Sequence, residues 1–252
     1  MRLSLPPPPR ALAQAGAAWF IAATIGQWAF VVFIIGFFTP PLVSGDLLAL
    51  NEKPHITGYV PGDTMGNAQL ILHVLLGAAA TAAGVLQLFS PARKKWPALH
   101  RWNGRIFMVT ALAATLNGFY LTWIRGSYLN IPSAISISIN GILIVVFAAW
   151  AWRAAVTRDY ASHRRHAMRA YLLVNGVWFL RIGMVLTALA MASVGLELDV
   201  QSWTFIALGV LSWVLPLICL QLYFWGERSR HSVVKYGISI FFAGLLTRYL
   251  CI

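Results

Sequence analysis

Two short stretches bring the same side chains to the mouth of an apolar run. "LHRWNGR", residues 99–105, sets His100, Arg101 and Arg105 ahead of one, and "SHRRHAMRAY", residues 162–171, sets His163, Arg164, Arg165, His166 and Arg169 ahead of another. Neutral imidazole is a common metal ligand and an axial ligand of haem, while arginine forks onto carboxylates and phosphates. Two chemistries follow. In one, His100 and His163 ligate a metal or haem iron and Arg101, Arg105 and Arg169 hold its acidic groups. In the other, the arginines capture anionic headgroups and the histidines are incidental. Pro97 suits a first helical turn and Ser162 an N-cap, so both motifs belong at helix N-termini. Those ends are already partly positive, and crowding arginine there calls for an anion. His166 reads as part of the solvated basic face.

Two further residues lie inside apolar runs. At 100° per residue, His73, Gly77, Ala80, Gly84 and Gln87 share one face within roughly 40° either way. Small residues there either let helices pack closely or leave room for a flat ligand. Arg181, in "NGVWFLRIGMVL", costs at least about 2.5 to 3.5 kcal/mol at the centre of a bilayer and so needs a partner. The six apolar segments carry no Asp or Glu. The candidates are Gln27, Asn117, Asn140, Asn175, backbone carbonyls, water, or an acidic or carbonyl-bearing ligand. His73 with Arg181 would form a second, outer-to-central site.

The elements that must position these residues are helices in a bilayer. The chain has 252 residues, 59% of them hydrophobic and 10% charged, with a mean hydropathy of +0.72. That is more apolar side chain than a soluble core of this size encloses. Six segments reach the roughly 20 apolar residues of a spanning helix: 17–39, 68–90, 103–124, 133–153, 168–194 and 202–225. The expected fold is an all-α integral membrane protein with six transmembrane helices, seven being possible. Its core is a four-helix arrangement of two hairpins, the second helix with the third and the fourth with the fifth, flanked by the first and sixth. Residues 1–16 form a proline-rich stub and 226–252 a tail, whose "KYGISIFFAGLLTRYLCI" suits an interfacial or re-entrant piece. The loop at 40–67 is long enough to serve as a connector or a lid.

A net charge of +12 raises the question of nucleic acid, which the positions of the charges answer. Sixteen of the nineteen Lys and Arg fall in the stub, the 91–105 loop, the 153–169 loop and the tail. By the positive-inside rule both termini are cytoplasmic, and the basicity is topological rather than a nucleic-acid footprint. The bilayer is the certain partner, with anionic lipid or another membrane subunit at the basic rim as a further one. No Gly-rich phosphate loop, His-Glu-x-x-His, Gly-x-Ser-x-Gly or intramembrane acidic pair is present, which disfavours hydrolase, ATPase and prenyl-transfer chemistry.

Over roughly residues 65–190 the chain resembles a family of bacterial predicted membrane proteins called domain of unknown function 2306. The carriers are "HVLLGAAATAAGVLQ", "LHRWNGR", "SHRRHAMRAY" and "FLR" ending at Arg181. His73, His100, His163, Arg101, Arg105, Arg169 and Arg181 match its pattern, whereas the place of His166 is usually aromatic there. The resemblance implies a multi-helix fold in a bacterial inner membrane and no established activity. Two functional expectations therefore stand. One is a small membrane binding protein or redox carrier for haem b or quinone, built on these His and Arg residues. The other is a non-redox protein whose basic cytoplasmic rim binds anionic lipid or a partner subunit.

Overall fold

Polar side chains cap the starts of four of the helices. In the computed structural model, which describes residues 7–51, 58–89 and 95–250, Asp63 Oδ1 accepts from the Gly66 amide at 2.9 Å and opens α2, Thr64–Leu88. Asn130 accepts from the Ser133 amide at 2.9 Å and opens α4, Ile131–Val156. Asp159 accepts from the Ser162 amide at 3.0 Å and opens α5, Tyr160–Val174. Each satisfies one of the orphan amides of a helix start. The cap of α5 is thus Asp159, three residues before the expected Ser162, because a carboxylate there reaches the first-turn amides and Ser162 is already helical.

The remaining elements are α1, Pro8–Ser44; α3, Pro97–Phe119, prolonged by a π-helical turn at Tyr120–Ile124; α6, Gly176–Ala192; α7, Trp203–Arg228; and α8, Ser232–Leu250. α1 begins at Pro8 rather than near residue 17, since proline is tolerated in a first turn; its 37 residues run about 55 Å at 1.5 Å each. Among the described residues, five helices are long and apolar enough to cross a membrane, and six when α5 and α6 count as one span bent by 49°. The segment expected as one straight helix over 168–194 is therefore broken at Asn175, which closes α5 and precedes α6. α8 is apolar over Ser232–Leu245 and lies along α1 and α7 through Leu12, Ile238 and Phe242.

The two hairpins are the most tightly joined pairs, α2 with α3 and α4 with α5. α3 also packs on α4, and α5 more lightly on α2, so the four helices form a ring with α3 and α5 at opposite corners. α1 covers α2, while α7 covers α4, α5 and α6. Large apolar side chains such as Ile25, Val32, Leu75, Val109, Ile142 and Val185 are exposed around this bundle. A stable surface of that kind belongs in hydrocarbon, and the chain is a multi-span membrane protein.

Lys53, Glu52, Arg93, Lys94, Cys251 and the first six residues of the stub lie outside the described residues. α7 carries an acidic residue in its last turn, Glu227. The apolar segment 202–225 itself holds no Asp or Glu; the helix runs three residues past it and so takes in Glu227.

Candidate functional site

His100 and His163 occupy the same position in their helices, four residues after the N-caps Trp96 and Asp159. Their amides close the first turns, His100 to the Trp96 carbonyl at 3.1 Å and His163 to the Asp159 carbonyl at 2.9 Å. The matched placement expected from the two motifs is therefore found, but α3 and α5 stand at opposite corners of the ring. His163 Nδ1 lies 2.9 Å from the Ala151 carbonyl of α4. A carbonyl can only accept, so Nδ1 carries the proton and Nε2 of the neutral ring is left as an acceptor. Next to His100, Gln87 Nε2 donates to its carbonyl at 2.8 Å and Asn103 Nδ2 donates to the Ala83 carbonyl at 2.8 Å. These two bonds tie the basic ends of α2 and α3 together.

The arginines around the two histidines are served differently. On the α5 side, Arg164 makes a bidentate pair with Glu227, both bonds 2.8 Å. Arg165 donates to Ser162 Oγ at 2.7 Å. Arg169 donates to Gln221 Oε1 at 3.1 Å and lies over Phe147 and Phe224. Asp159 adds a second carboxylate, held below its ordinary range chiefly by hydrogen bonds from Ser162. On the α3 side, Trp96 gives the helix no side-chain cap. Arg105 lies over the Trp102 ring at 4.7 Å. An open concavity of about 610 Å³ at this N-terminus is lined by Lys95, Trp96, Pro97, Ala98, Leu99 and Arg101, with no acidic side chain among them. The α5 terminus thus carries its own anions, and among the described residues the concavity at the α3 terminus is lined by cations and apolar surface.

His166 is half-buried rather than wholly on the solvated face. Its ring stacks on Phe147 with centroids 6.0 Å apart and meets the edge of Trp150 at 5.3 Å. Its other side lines an open surface concavity with Arg153 and Asp159.

In the interior, the small-residue stripe of α2 is spent on packing at Ala80 and Gly84, while a Cβ on Gly77 would meet nothing within 4 Å. Ala80 is fully buried against Ala111, Ile144 and Leu173, and a Cβ on Gly84 would stand 3.0 to 3.1 Å from Tyr171 and Phe107. His73 lies against α3, 3.2 Å from where a Cβ on Gly118 would sit, while Arg181 lies over Phe30 of α1 at 5.4 Å. The two residues turn to different neighbours, although Val74 and Ile182 beside them join the same apolar cluster. Among the sequence's candidate partners for Arg181, Asn117 donates to Gln69 and Asn140 to the Leu173 carbonyl. Gln27 accepts from the Tyr171 hydroxyl, and Asn175 donates to the Tyr171 carbonyl at 2.8 Å.

One functional-looking constellation was not singled out from the sequence. At the end opposite the basic rim, Arg125 donates to Asp63 Oδ2 at 2.8 Å, to Asn67 Oδ1 at 2.8 Å and to the Gly58 carbonyl at 3.0 Å. Its signal was the isolated arginine in a loop region otherwise acidic. This cluster fastens the described part of the 40–67 loop, and Asn51 Nδ2 holds the Tyr59 carbonyl at 2.8 Å.

A family model described as a predicted membrane protein (DUF2306) matches residues 70–224. No curated protein and no solved structure matches the chain.

Proposed function

The chain belongs to the DUF2306 family of predicted membrane proteins, and on that premise we propose that its basic rim binds the headgroups of anionic lipid, with the N-terminus of α3 as the principal site. The observation that carries this reading is the contrast between the two histidine-bearing termini. At α5, Asp159 and Glu227 supply the anions that the helix end and its arginines attract. At α3, Lys95 and Arg101 face an open concavity beside Trp96 and Leu99, both exposed. A lipid phosphate satisfies the cations and the uncapped amides together, while acyl chains cover the tryptophan and leucine. The rim then faces the cytoplasmic leaflet, where anionic lipid is concentrated.

A haem b or quinone carrier built on His100 and His163 is the second reading, favoured by the free Nε2 that the Ala151 carbonyl leaves on His163. A macrocycle joining both histidines would bridge opposite corners of the ring. About two turns inward that space is filled by Phe107, Tyr171 and the bare backbone of Gly84. The lipid reading asks for no such space.

Two preparations separate the readings. Full-length protein in nanodiscs is titrated with phosphatidylglycerol against a phosphatidylcholine background, and retained lipid is counted by native mass spectrometry. At about 1 kcal/mol per surface cation, the Lys95→Gln, Arg101→Gln double variant retains anionic lipid roughly 10- to 30-fold more weakly, and the difference shrinks with salt. Unchanged retention overturns the proposal. A b-type absorption spectrum in native membranes, lost on His100→Ala or His163→Ala, installs the haem reading in its place.

A further inference from the structure

Arg181 carries a permanent charge inside α6, and among the described residues no carboxylate or hydrogen-bond acceptor reaches it. Its Nε is sealed from solvent without a partner, and its neighbour is the face of Phe30. The turn of α1 opposite is equally unspent. Gln27 is fully buried; its Oε1 is taken by Tyr171, but its Nε2 has no acceptor, and neither has the buried hydroxyl of Thr24. That the two turns face each other is fixed by Trp178, whose ring lies where a Cβ on Gly26 would come within 2.5 Å. The seam between α1 and α6 therefore holds a guanidinium and an amide donor, against two unspent buried acceptors, Asn175 Oδ1 and the Thr24 hydroxyl, which can also donate. Val177 and Val185, one turn on either side of Arg181 along the same face of α6, are exposed. Arg181 thus stands at the edge of the seam, open sideways to hydrocarbon rather than to water.

A surplus of donors with a full positive charge in a low-dielectric site favours an anion over a neutral carbonyl, because only the anion cancels the desolvated charge. Access through exposed valines favours a ligand that arrives through the bilayer. We propose that this seam binds the carboxylate of a membrane-dissolved amphiphile, a long-chain fatty acid by its chemistry, with Arg181 as the ion-pair partner. Gln27 Nε2 donates to the same headgroup, and the acyl chain lies along the valine face of α6. The break at Asn175 contributes by starting α6, which has no side-chain cap, within the membrane.

The test uses the full chain in phosphatidylcholine nanodiscs with oleate and methyl oleate as probes, read by calorimetry and by shift in melting temperature. Oleate binds and raises the melting temperature, and its methyl ester does neither. Arg181→Gln weakens oleate binding at least tenfold, Arg181→Lys keeps part of it, and the Lys95→Gln, Arg101→Gln variant leaves it unchanged, which separates this site from the rim. Should Arg181→Gln fail to fold, the acid-ester comparison in the native chain and the Arg181→Lys variant decide. Equal effects of oleate and its ester, oleate binding that is indifferent to Arg181, or a quinone analogue that binds through Arg181 in place of oleate overturn the proposal.

Discussion

Arg125, the residue that follows the π-helical turn of α3, donates through Nε to Asp63, the N-cap of α2, across a distance of 2.8 Å. The turn ends with the Arg125 amide bonded to the Tyr120 carbonyl at 3.0 Å, an i to i−5 step that sets the side chain over the start of α2. One carboxylate thereby serves two ends: Oδ1 caps α2 and Oδ2 receives the arginine. Asn67 completes the latch by exchanging bonds of 2.8 and 2.9 Å with the carbonyl and amide of Val60.

The latch predicts an acid-sensitive stability. The Arg125 hydrogen bond, and then the Gly66 amide, hold the Asp63 carboxyl below its ordinary range. A lowered native pKa adds stability that is complete above the unfolded value of about 3.9 and disappears as pH falls through the native one. In detergent, the melting temperature should decline below about pH 4. Asp63→Asn should lower it at neutral pH and remove this share of the acid decline, and an acid limb identical in the variant would refute the assignment.

The seating of the Trp178 ring on Gly26 gives a packing prediction. Because a Cβ on Gly26 would meet the Trp178 ring at 2.5 Å, Gly26→Ala should cost about 1 to 3 kcal/mol by overpacking. Trp178→Phe in the same chain should recover part of that loss. Additive losses in the double-mutant cycle would mean that the two residues do not share the contact.

The spans, the basic rim and the equivalence of His100 and His163 were legible because each rests on local pattern: apolar length, loop charge, and a helix start beside a His-Arg pair. Three features were not. The break at Asn175 falls on an Asn-Gly pair, a turn signal outweighed by the apolar length on either side of it and unaccompanied by proline; Asn140 and Trp213 crowd against Gly176 there only in the folded bundle. The Asp63–Arg125 pair joins residues 62 apart, and the Arg164–Glu227 pair residues 63 apart, which requires knowing which helix ends meet. His166 looked wholly solvated because its neighbours in sequence are charged, whereas its neighbours in space include Phe147 and Trp150.

Exposure limits what the Arg164–Glu227 pair contributes. Its side chains are 46% and 33% accessible, and pairs of that kind are worth about 0 to 1 kcal/mol. Glu227→Gln should therefore shift unfolding by no more than about 1 kcal/mol, with the shift vanishing near 1 M salt. A larger, salt-insensitive loss would show that Glu227 supports α5 by another route.

Orientation decides which leaflet the rim can read. Thr157 and Ser193 are exposed at opposite ends of the bundle, one beside the basic turn after α4 and the other beside Glu197 and Asp199. The basic residues at the starts of α3 and α5 oppose translocation, so Thr157 should face the cytoplasm and Ser193 the outside. In a chain whose Cys219 and Cys251 are replaced by serine, a membrane-impermeant maleimide on sealed cells should modify Ser193→Cys, and Thr157→Cys only after permeabilisation. The reverse pattern would put Lys95 and Arg101 against the outer leaflet. Binding of phosphatidylglycerol in nanodiscs would then survive as a property of the surface, while its assignment to the cytoplasmic leaflet would fall.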